Sequence, residues 1–212
     1  MQNMIHRRTF LASAAMLAWP VSIALAAFVP SAQDRADIAR VEAALNAVRS
    51  LKAHFLQVAP DGGLSQGTVW LDRPGRMRFQ YDPPAPFLLI ASYGQLMFYD
   101  SSLNQTSFVR LSSTPLGILL ADHVTLSGDV TVTGIQRQPA QLQIELTRTR
   151  SPGDGSLTLI FTDNPLALRQ WTVIDAQRKE TRVTLYNVET GGMFSDSLFS
   201  IADPQARQHL DK

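Results

Sequence analysis

The sequence contains no cysteine among its 212 residues. A disulfide framework, a thiolate nucleophile and a cysteine-ligated zinc cluster are therefore excluded. The same absence excludes a lipid-modified N-terminal cysteine, so we expect the mature protein to be soluble.

Histidine is also scarce, and the side chains that usually hold metals are not grouped. His54, His123 and His209 lie far apart, and none occurs in an HxxxH or HxH spacing. The glycine-containing stretch 152–156 lacks the following helix that a phosphate-binding loop requires. We therefore predict neither a metal site nor a cofactor.

The first 26 residues have the three parts of an export signal. His6, Arg7 and Arg8 form a basic start, 10–24 is an apolar run, and Ala24-Leu25-Ala26 is an AxA cleavage signature. The paired arginines also resemble a twin-arginine signal, so the export route stays open. The predicted division is a signal peptide over 1–26 and a single domain over 27–212.

The numbers of basic and acidic side chains are nearly equal. Without Arg7 and Arg8, the 19 basic side chains become 17 against 18 acidic ones, so the mature chain carries a formal charge of −1. We therefore expect no nucleic-acid partner and no attraction to anionic membranes.

The apolar pattern predicts one long helix followed by antiparallel strands. Apolar residues from Ile38 to Leu51 recur at three- and four-residue spacing, which predicts an amphipathic helix over 33–51. Turn signals then recur every eight to twelve residues or so, as in antiparallel sheets. The predicted strands are 54–58, 68–72, 76–82, 87–92, 95–100, 105–110, 130–133, 141–147, 156–161, 168–175 and 181–187. The stretch 113–122 contains Pro115 and an apolar run, and we predict a short helix there.

Residues 63–67 spell GxSxG, the pattern of the nucleophile elbow in serine hydrolases. An elbow needs a strand before the serine and a helix after it, whereas a double-glycine turn precedes Ser65 and strand-forming residues follow it. A triad would also need a histidine, and only His123 is a suitable partner. We therefore predict a hairpin and a protein that is not an enzyme, with a serine esterase as an alternative.

Large apolar residues occupy both faces of the strands between 70 and 99, more than one sheet face requires. Two arrangements explain this: a sheet covered on its two sides by the two helices, or a strongly curved sheet whose inner face is an apolar cavity under a helical lid. These residues are Trp70, Met77, Phe79, Tyr81, Phe87, Leu88, Ile90, Met97, Phe98 and Tyr99.

Three ordered motifs resemble one known family. Arg73-Pro74 forms a turn between two strands, the run 94–105 contains Gly94 followed by an aromatic-Tyr-Asp sequence and Gln105, and Thr114-Pro115 precedes an apolar helix. In this order they resemble the periplasmic outer-membrane lipoprotein carrier family, of the LolA type. The resemblance covers nearly all of the mature chain and is strongest over 55–121.

The resemblance implies a mainly β fold with some α (α+β), an unclosed antiparallel β-barrel with a helical lid over an apolar cavity. It implies a periplasmic carrier that shuttles lipoproteins by their acyl chains from the inner to the outer membrane. A lipid- or lipoprotein-sensing module on the same fold stays an alternative. The implied partners are lipoprotein acyl chains, a lipoprotein-releasing transporter of the inner membrane and, as an open point, an outer-membrane acceptor. We expect a monomer.

The resemblance also implies site residues. Arg73 is the implied latch, which holds the lid closed through hydrogen bonds to backbone groups. The lid and its latch partners are Leu116, Ile118, Leu119, Leu120 and Ile90. The implied cavity residues are Trp70, Met77, Phe79, Leu88, Ile90 and Phe98.

Overall fold

The structure is a computed structural model, and it describes residues 28–202. The predicted signal peptide over 1–26 and His209 lie outside the described residues. No helix within 28–202 is both long enough and apolar enough to span a membrane.

One antiparallel sheet of eleven strands makes up most of the described chain. The turn signals read from the sequence fall between these strands, although most strands are longer than predicted. The strands are β1 (Ser50–Val58), β2 (Leu64–Asp72), β3 (Arg76–Tyr81), β4 (Phe87–Ser92), β5 (Gln95–Asp100), β6 (Gln105–Arg110), β7 (Val130–Gln138), β8 (Gln141–Arg148), β9 (Gly155–Asp163), β10 (Leu166–Asp175) and β11 (Glu180–Thr190).

The order of the strands explains why the sheet stays open. It runs β6-β5-β4-β3-β2-β1-β11-β10-β9-β8-β7, so the chain builds outward from β1 to β6, crosses to the far edge and returns. In the described part of the chain, β6 and β7 each pair with one neighbour and not with each other. The segment 111–129 therefore connects the two edges of an unclosed sheet.

The sheet is strongly curved. The rings of Phe79 in β3 and Trp171 in β10 lie 6.1 Å apart, centroid to centroid. Four strand spacings of about 4.8 Å would separate them by about 19 Å if the sheet were flat. The fold is therefore the expected unclosed β-barrel.

Strand register assigns each side chain to a face, because directly paired residues point to the same side. The row Ala53, Val69, Phe79, Leu89 and Phe98 lies on the concave face. The next row lies on the convex face and consists of Lys52, Trp70, Arg78, Ile90 and Met97.

Both helices pack on the concave face. Val41 and Leu45 of helix α1 (Ala32–Ala47) and Leu119 of helix α2 (Leu116–Leu119) belong to one core cluster with concave residues such as Phe55 and Val69. The arrangement in which the two helices cover opposite sides is therefore wrong, and the curved sheet with a helical lid is confirmed.

Helix α1 is shorter than the predicted span 33–51. A capping box opens it, in which Ser31 and Asp34 exchange side-chain hydrogen bonds with each other's backbone N–H. It ends at Ala47 with Val48 as its C-terminal cap, and Leu51 is already buried in β1. The C-terminal end of the helix was predicted too late in the sequence, because Leu51 continues the apolar spacing of the helix although it points into the core from a strand.

The N-terminal half of α1 is held to the sheet by charge. Arg137 of β7 donates to Asp37 at 2.7 Å and to Asp34 at 2.6 Å. The Arg137 hydrogen bond, with two from Ser31, lowers the pKa of Asp34 to about 2. Desolvation raises the pKa of Asp37, which is 2% exposed, but hydrogen bonds from Arg137, Gln33 and Arg40 outweigh it and lower the pKa.

The depressed pKa values predict acid sensitivity of this contact. A carboxyl group whose pKa is lower in the folded state stabilises the fold above its unfolded value of about 3.9, and this stabilisation is lost as the pH falls towards 2. We expect Arg137→Leu to lower the urea midpoint at neutral pH, and the difference from the unmodified protein to shrink at pH values near 2. Urea titrations across this range check it.

Arg182→Leu is the control, because Arg182 pairs with Glu180 where both side chains are 48% exposed. This variant should change the midpoint little at any pH. A midpoint difference for Arg137→Leu that does not depend on pH would contradict the prediction.

A separate apolar cluster covers part of the convex face. Leu88, Ile90, Met97 and Tyr99 form it, and Ile201 packs against them. The C-terminal segment reaches this face through a 3₁₀ turn at Asp196–Phe199, where Arg76 pairs with Asp196 at 2.5 Å.

Candidate functional site

A cavity of about 480 Å³ lies on the concave face between the lid segment and the two arms of the sheet. The sheet contributes the buried residues Phe79, Trp171 and Val183, and the half-buried Leu89 and Leu96 extend the apolar lining towards β6. The lid adds Pro115 and Leu116, which are also buried. The volume falls within the range of about 300–1,000 Å³ that is usual for ligand sites.

The rim of this cavity is polar. Asp154 and Gln177 come from turns and Asp175 is the last residue of β10, and all three are half-buried or exposed. A ligand with an apolar part and a polar part would therefore place the apolar part inside and the polar part at the rim.

A smaller cavity of about 250 Å³ lies at the other end of the lid helix. Its lining shares no residue with that of the larger cavity: α2 gives Leu116 to the larger one and Leu119 to the smaller one. The lid helix therefore stands between the two spaces. The lining of the smaller cavity includes Leu45, Leu71, Arg73, Phe161 and Leu168.

The lid is a tight hook, shorter than the predicted helix over 113–122. A 3₁₀ turn at Leu111–Ser113 is followed by Pro115 and the single α turn of α2. The four lid residues named from the resemblance are buried, at 8% exposure or less: Leu116, Ile118, Leu119 and Leu120. No charged residue occurs among them, so the hook buries its whole apolar run against the sheet.

Hydrogen bonds hold the two ends of the lid to neighbouring elements. The backbone N–H of Gly75 donates to the carbonyl of Leu120 at 2.8 Å. At the other end, Nη2 of Arg148 donates to the carbonyl of Thr114 at 3.2 Å. These two contacts must break if the lid is to lift away from the sheet.

Helix α1 holds the chain that follows the lid. The side-chain amide of Asn46 donates to the carbonyl of Val124 and accepts from its N–H, at 2.9 and 2.8 Å. Glu42 accepts from the N–H of Leu126 at 2.6 Å. The position of the lid therefore depends on the position of α1.

Arg73 is placed differently from the expectation. Its Nη1 donates to the carbonyl of Leu45 in the last turn of α1 at 2.5 Å, and in the described chain its side chain has no hydrogen bond to Leu119, Leu120 or Ile90. The RP turn does contact the lid backbone, but through the N–H of Gly75. The guanidinium lies by α1 because carbonyls in the last turn of a helix lack their usual N–H partner four residues further on, and α1 has no basic residue in that turn.

The predicted cavity residues divide between the two faces of the sheet. Phe79 lines the larger cavity, while Met77 and Phe98 are on the concave face without lining it. Trp70, Leu88 and Ile90 are on the convex face, which corrects their assignment to the cavity. The sequence alone does not show which of these residues face the cavity, because both faces of β3 to β5 are covered and both are apolar.

Several cavity residues were not predicted from the sequence, and most of them lie outside the motifs. Trp171 and Val183 come from β10 and β11, which pair in sequence order yet face Phe79 across the barrel. Leu89, Leu96 and Val109 alternate with the convex residues of the same hairpins. Alternation within each strand divides its residues into two sets, but it does not show which set lies on the concave face.

Ser65 lies in a hairpin, as predicted. The turn before it closes through hydrogen bonds between Ala59 and the glycine pair, and Gly62 has a φ of 82°. Ser65 is the second residue of β2 and pairs with Gln57. The strand continues after it, so the strand-turn-helix geometry of a nucleophile elbow does not hold this serine.

Comparison with known proteins finds relatives of this chain. Residues 46–202 match the family model described as outer membrane lipoprotein carrier protein LolA. A protein of Methylococcus capsulatus named outer-membrane lipoprotein carrier protein is 28% identical over 174 residues, which cover 78% of this chain and 83% of the relative. A protein of the same name from Pseudomonas aeruginosa is 31% identical over 121 residues, or 53% of this chain and 58% of the relative. The crystal structure of a LolA superfamily protein from Nitrosomonas europaea aligns with a TM-score of 0.45 and 11% identity, over 78% of this chain and 96% of that one.

Proposed function

The chain belongs to the outer membrane lipoprotein carrier family of the LolA type, and we propose that it carries lipoproteins through the periplasm with their acyl chains in the larger concave cavity. It receives them from a releasing transporter in the inner membrane and delivers them to the outer membrane or to an acceptor there. The observation that carries this proposal is an apolar cavity of about 480 Å³, bounded by a lid and by a sheet that is not closed.

The energetics of an acyl chain explain why such a cavity is needed. Each methylene group left in water costs about 0.8 kcal/mol, so a lipid-anchored protein does not cross an aqueous compartment unaided. Apolar side chains such as Phe79, Leu89 and Trp171 replace the membrane interior without directional bonds. The polar rim at Asp154 and Asp175 suits the point where the protein part of the cargo emerges.

The empty carrier must hide the same apolar surface, and the lid serves this purpose. A hydrogen bond typically contributes about 0.5–1.5 kcal/mol, so the contacts of Gly75 and Arg148 with the lid are weak enough for entering acyl chains to displace. Arg73 acts on the lid through α1, because it holds Leu45 while Asn46 holds the segment after α2. This indirect latch replaces the direct one implied by the resemblance.

Two adjacent residues of β6 give a matched test. Val109 and Phe108 are 49% and 51% exposed, but Val109 lines the larger cavity and Phe108 is on the opposite face. We expect Val109→Glu to weaken acyl-chain binding about tenfold or more, because a carboxylate loses hydration against an apolar ligand. Phe108→Glu should bind as the unmodified protein does, and neither substitution should unfold an exposed edge strand.

The measurement is the transfer of a triacylated lipoprotein from vesicles to the mature protein. After the vesicles are sedimented, size-exclusion chromatography of the supernatant should show a soluble one-to-one complex. Sedimentation of the protein with the vesicles, with no lipoprotein extracted, would favour a sensing module over a carrier. Equal impairment by Val109→Glu and Phe108→Glu would contradict binding on the concave face.

A further inference from the structure

The smaller cavity combines an apolar lining with buried positive charge. Arg73 and Arg169 are its only charged residues in the described chain, and most of the others are aliphatic or aromatic, among them Leu71, Phe161 and Leu168. With no acidic side chain in its lining, the cavity lacks a counter-charge of its own. This composition differs from that of the larger cavity, where the charged side chains are Asp154 and Asp175.

Arg73 has donors to spare in this cavity. The residue is 5% exposed, and in the described chain its side chain makes one hydrogen bond, from Nη1 to Leu45. Its Nε is buried without a partner. Burial, together with a smaller effect of the nearby charge of Arg49, lowers the pKa of Arg73 to about 10. A buried cation with an unpaired donor is costly, and an anion that enters the cavity would remove this cost.

We propose that the smaller cavity binds a single-chain fatty carboxylate, with the carboxylate on Nε of Arg73 and the alkyl chain against Leu71, Phe161 and Leu168. This site is separate from the larger cavity and does not depend on the carrier function proposed above. Arg169 is exposed at the edge of the same lining, where it attracts the anion towards the entrance.

The size of the cavity sets the length of the chain. An apolar cavity of about 150 Å³ in another protein holds benzene, so a cavity of about 250 Å³ has room for roughly ten carbon atoms. Decanoate is therefore a suitable probe, and decanol is its matched control because it has the same chain without the charge.

The experiment compares the two probes by calorimetric titration at neutral pH. A charge-assisted hydrogen bond contributes about 1.5–3 kcal/mol, so decanoate should bind about tenfold to a hundredfold more tightly than decanol. Arg73→Met should remove this preference, because an uncharged apolar side chain takes the place of the guanidinium. In NMR spectra of the unmodified protein, decanoate should shift the Nε–H resonance of Arg73 more than decanol does.

Two further variants make the result decisive. Arg169→Met changes an exposed residue, and it should weaken decanoate binding a few-fold. Val109→Glu alters the larger cavity alone and should leave decanoate binding unchanged, whatever it does to lipoprotein transfer. If Arg73→Met does not fold, the ratio of the two probes and the Arg169→Met variant decide the question.

The proposal is overturned by any of three outcomes. The first is that decanoate does not bind, or binds no better than decanol. The second is that both arginine variants bind decanoate as the unmodified protein does. The third is that Val109→Glu abolishes decanoate binding. The last outcome would place the probe in the larger cavity.

Discussion

Gly67→Ala is expected to lower the free energy of unfolding by about 3 kcal/mol, because it overpacks a backbone contact. Gly67 is a buried residue of β2, opposite Phe55 in β1 and Tyr81 in β3. A Cβ atom there would lie 2.0 Å from the carbonyl oxygen of Gln80, which belongs to the backbone of β3. The two strands would have to separate to admit it, and urea denaturation measures the loss.

Ser65→Ala is the matched control, two residues earlier on the same strand. We expect this variant to keep the stability and the lipoprotein binding of the unmodified protein. A serine hydrolase would behave in the opposite way, because the serine would be essential for activity. Loss of function in Ser65→Ala with Gly67→Ala unaffected would contradict our interpretation of the GxSxG sequence.

Gly117→Ala is expected to open the lid while the sheet stays folded. A Cβ atom at this position in α2 would lie 2.6 Å from the carbonyl oxygen of Leu111 and 2.6 Å from Nη2 of Arg148. The arginine can move aside but the backbone carbonyl cannot, so the hook between the 3₁₀ turn and α2 must widen. We expect stronger binding of a hydrophobic dye, because apolar concave surface becomes exposed, and faster hydrogen exchange at the amide of Gly75.

Gly153→Ala controls for the loss of a glycine in a short helical turn, since a Cβ atom at Gly153 meets no other atom within 4 Å. This variant should bind the dye as the unmodified protein does. If the amide of Gly75 exchanges at the same rate in Gly117→Ala and in Gly153→Ala, the lid does not depend on close packing at Gly117.

The strands were the most predictable part of the fold. β5 and β6 have the predicted bounds, because a turn with Tyr93 and Gly94 at positive φ precedes β5 and another at Asn104 precedes β6. Turn chemistry is local, so it can be read from a few residues. The lid was also recognisable as an apolar interruption, but its length was not, since Pro115 and the hook with Leu111 limit α2 to a single turn.

The assignment of residues to the cavity was less predictable for a physical reason. Alternation separates Leu88 from Leu89 but does not say which of them faces the helices, because the C-terminal segment buries the convex face of β4 and β5 as well. Arg73 posed a similar problem: its turn could be located from sequence, but its partner Leu45 lies 28 residues earlier. Contacts of this kind depend on how α1 docks, which local sequence does not encode.

The open seam between β6 and β7 has a mechanical consequence. Since no ladder of hydrogen bonds joins these edges in the described chain, they can spread apart without breaking one. The crossover that carries α2 is also the tether between them. Raising the lid and widening the seam are thus one coupled movement, and the volume of the cavity can adapt to ligands of different bulk.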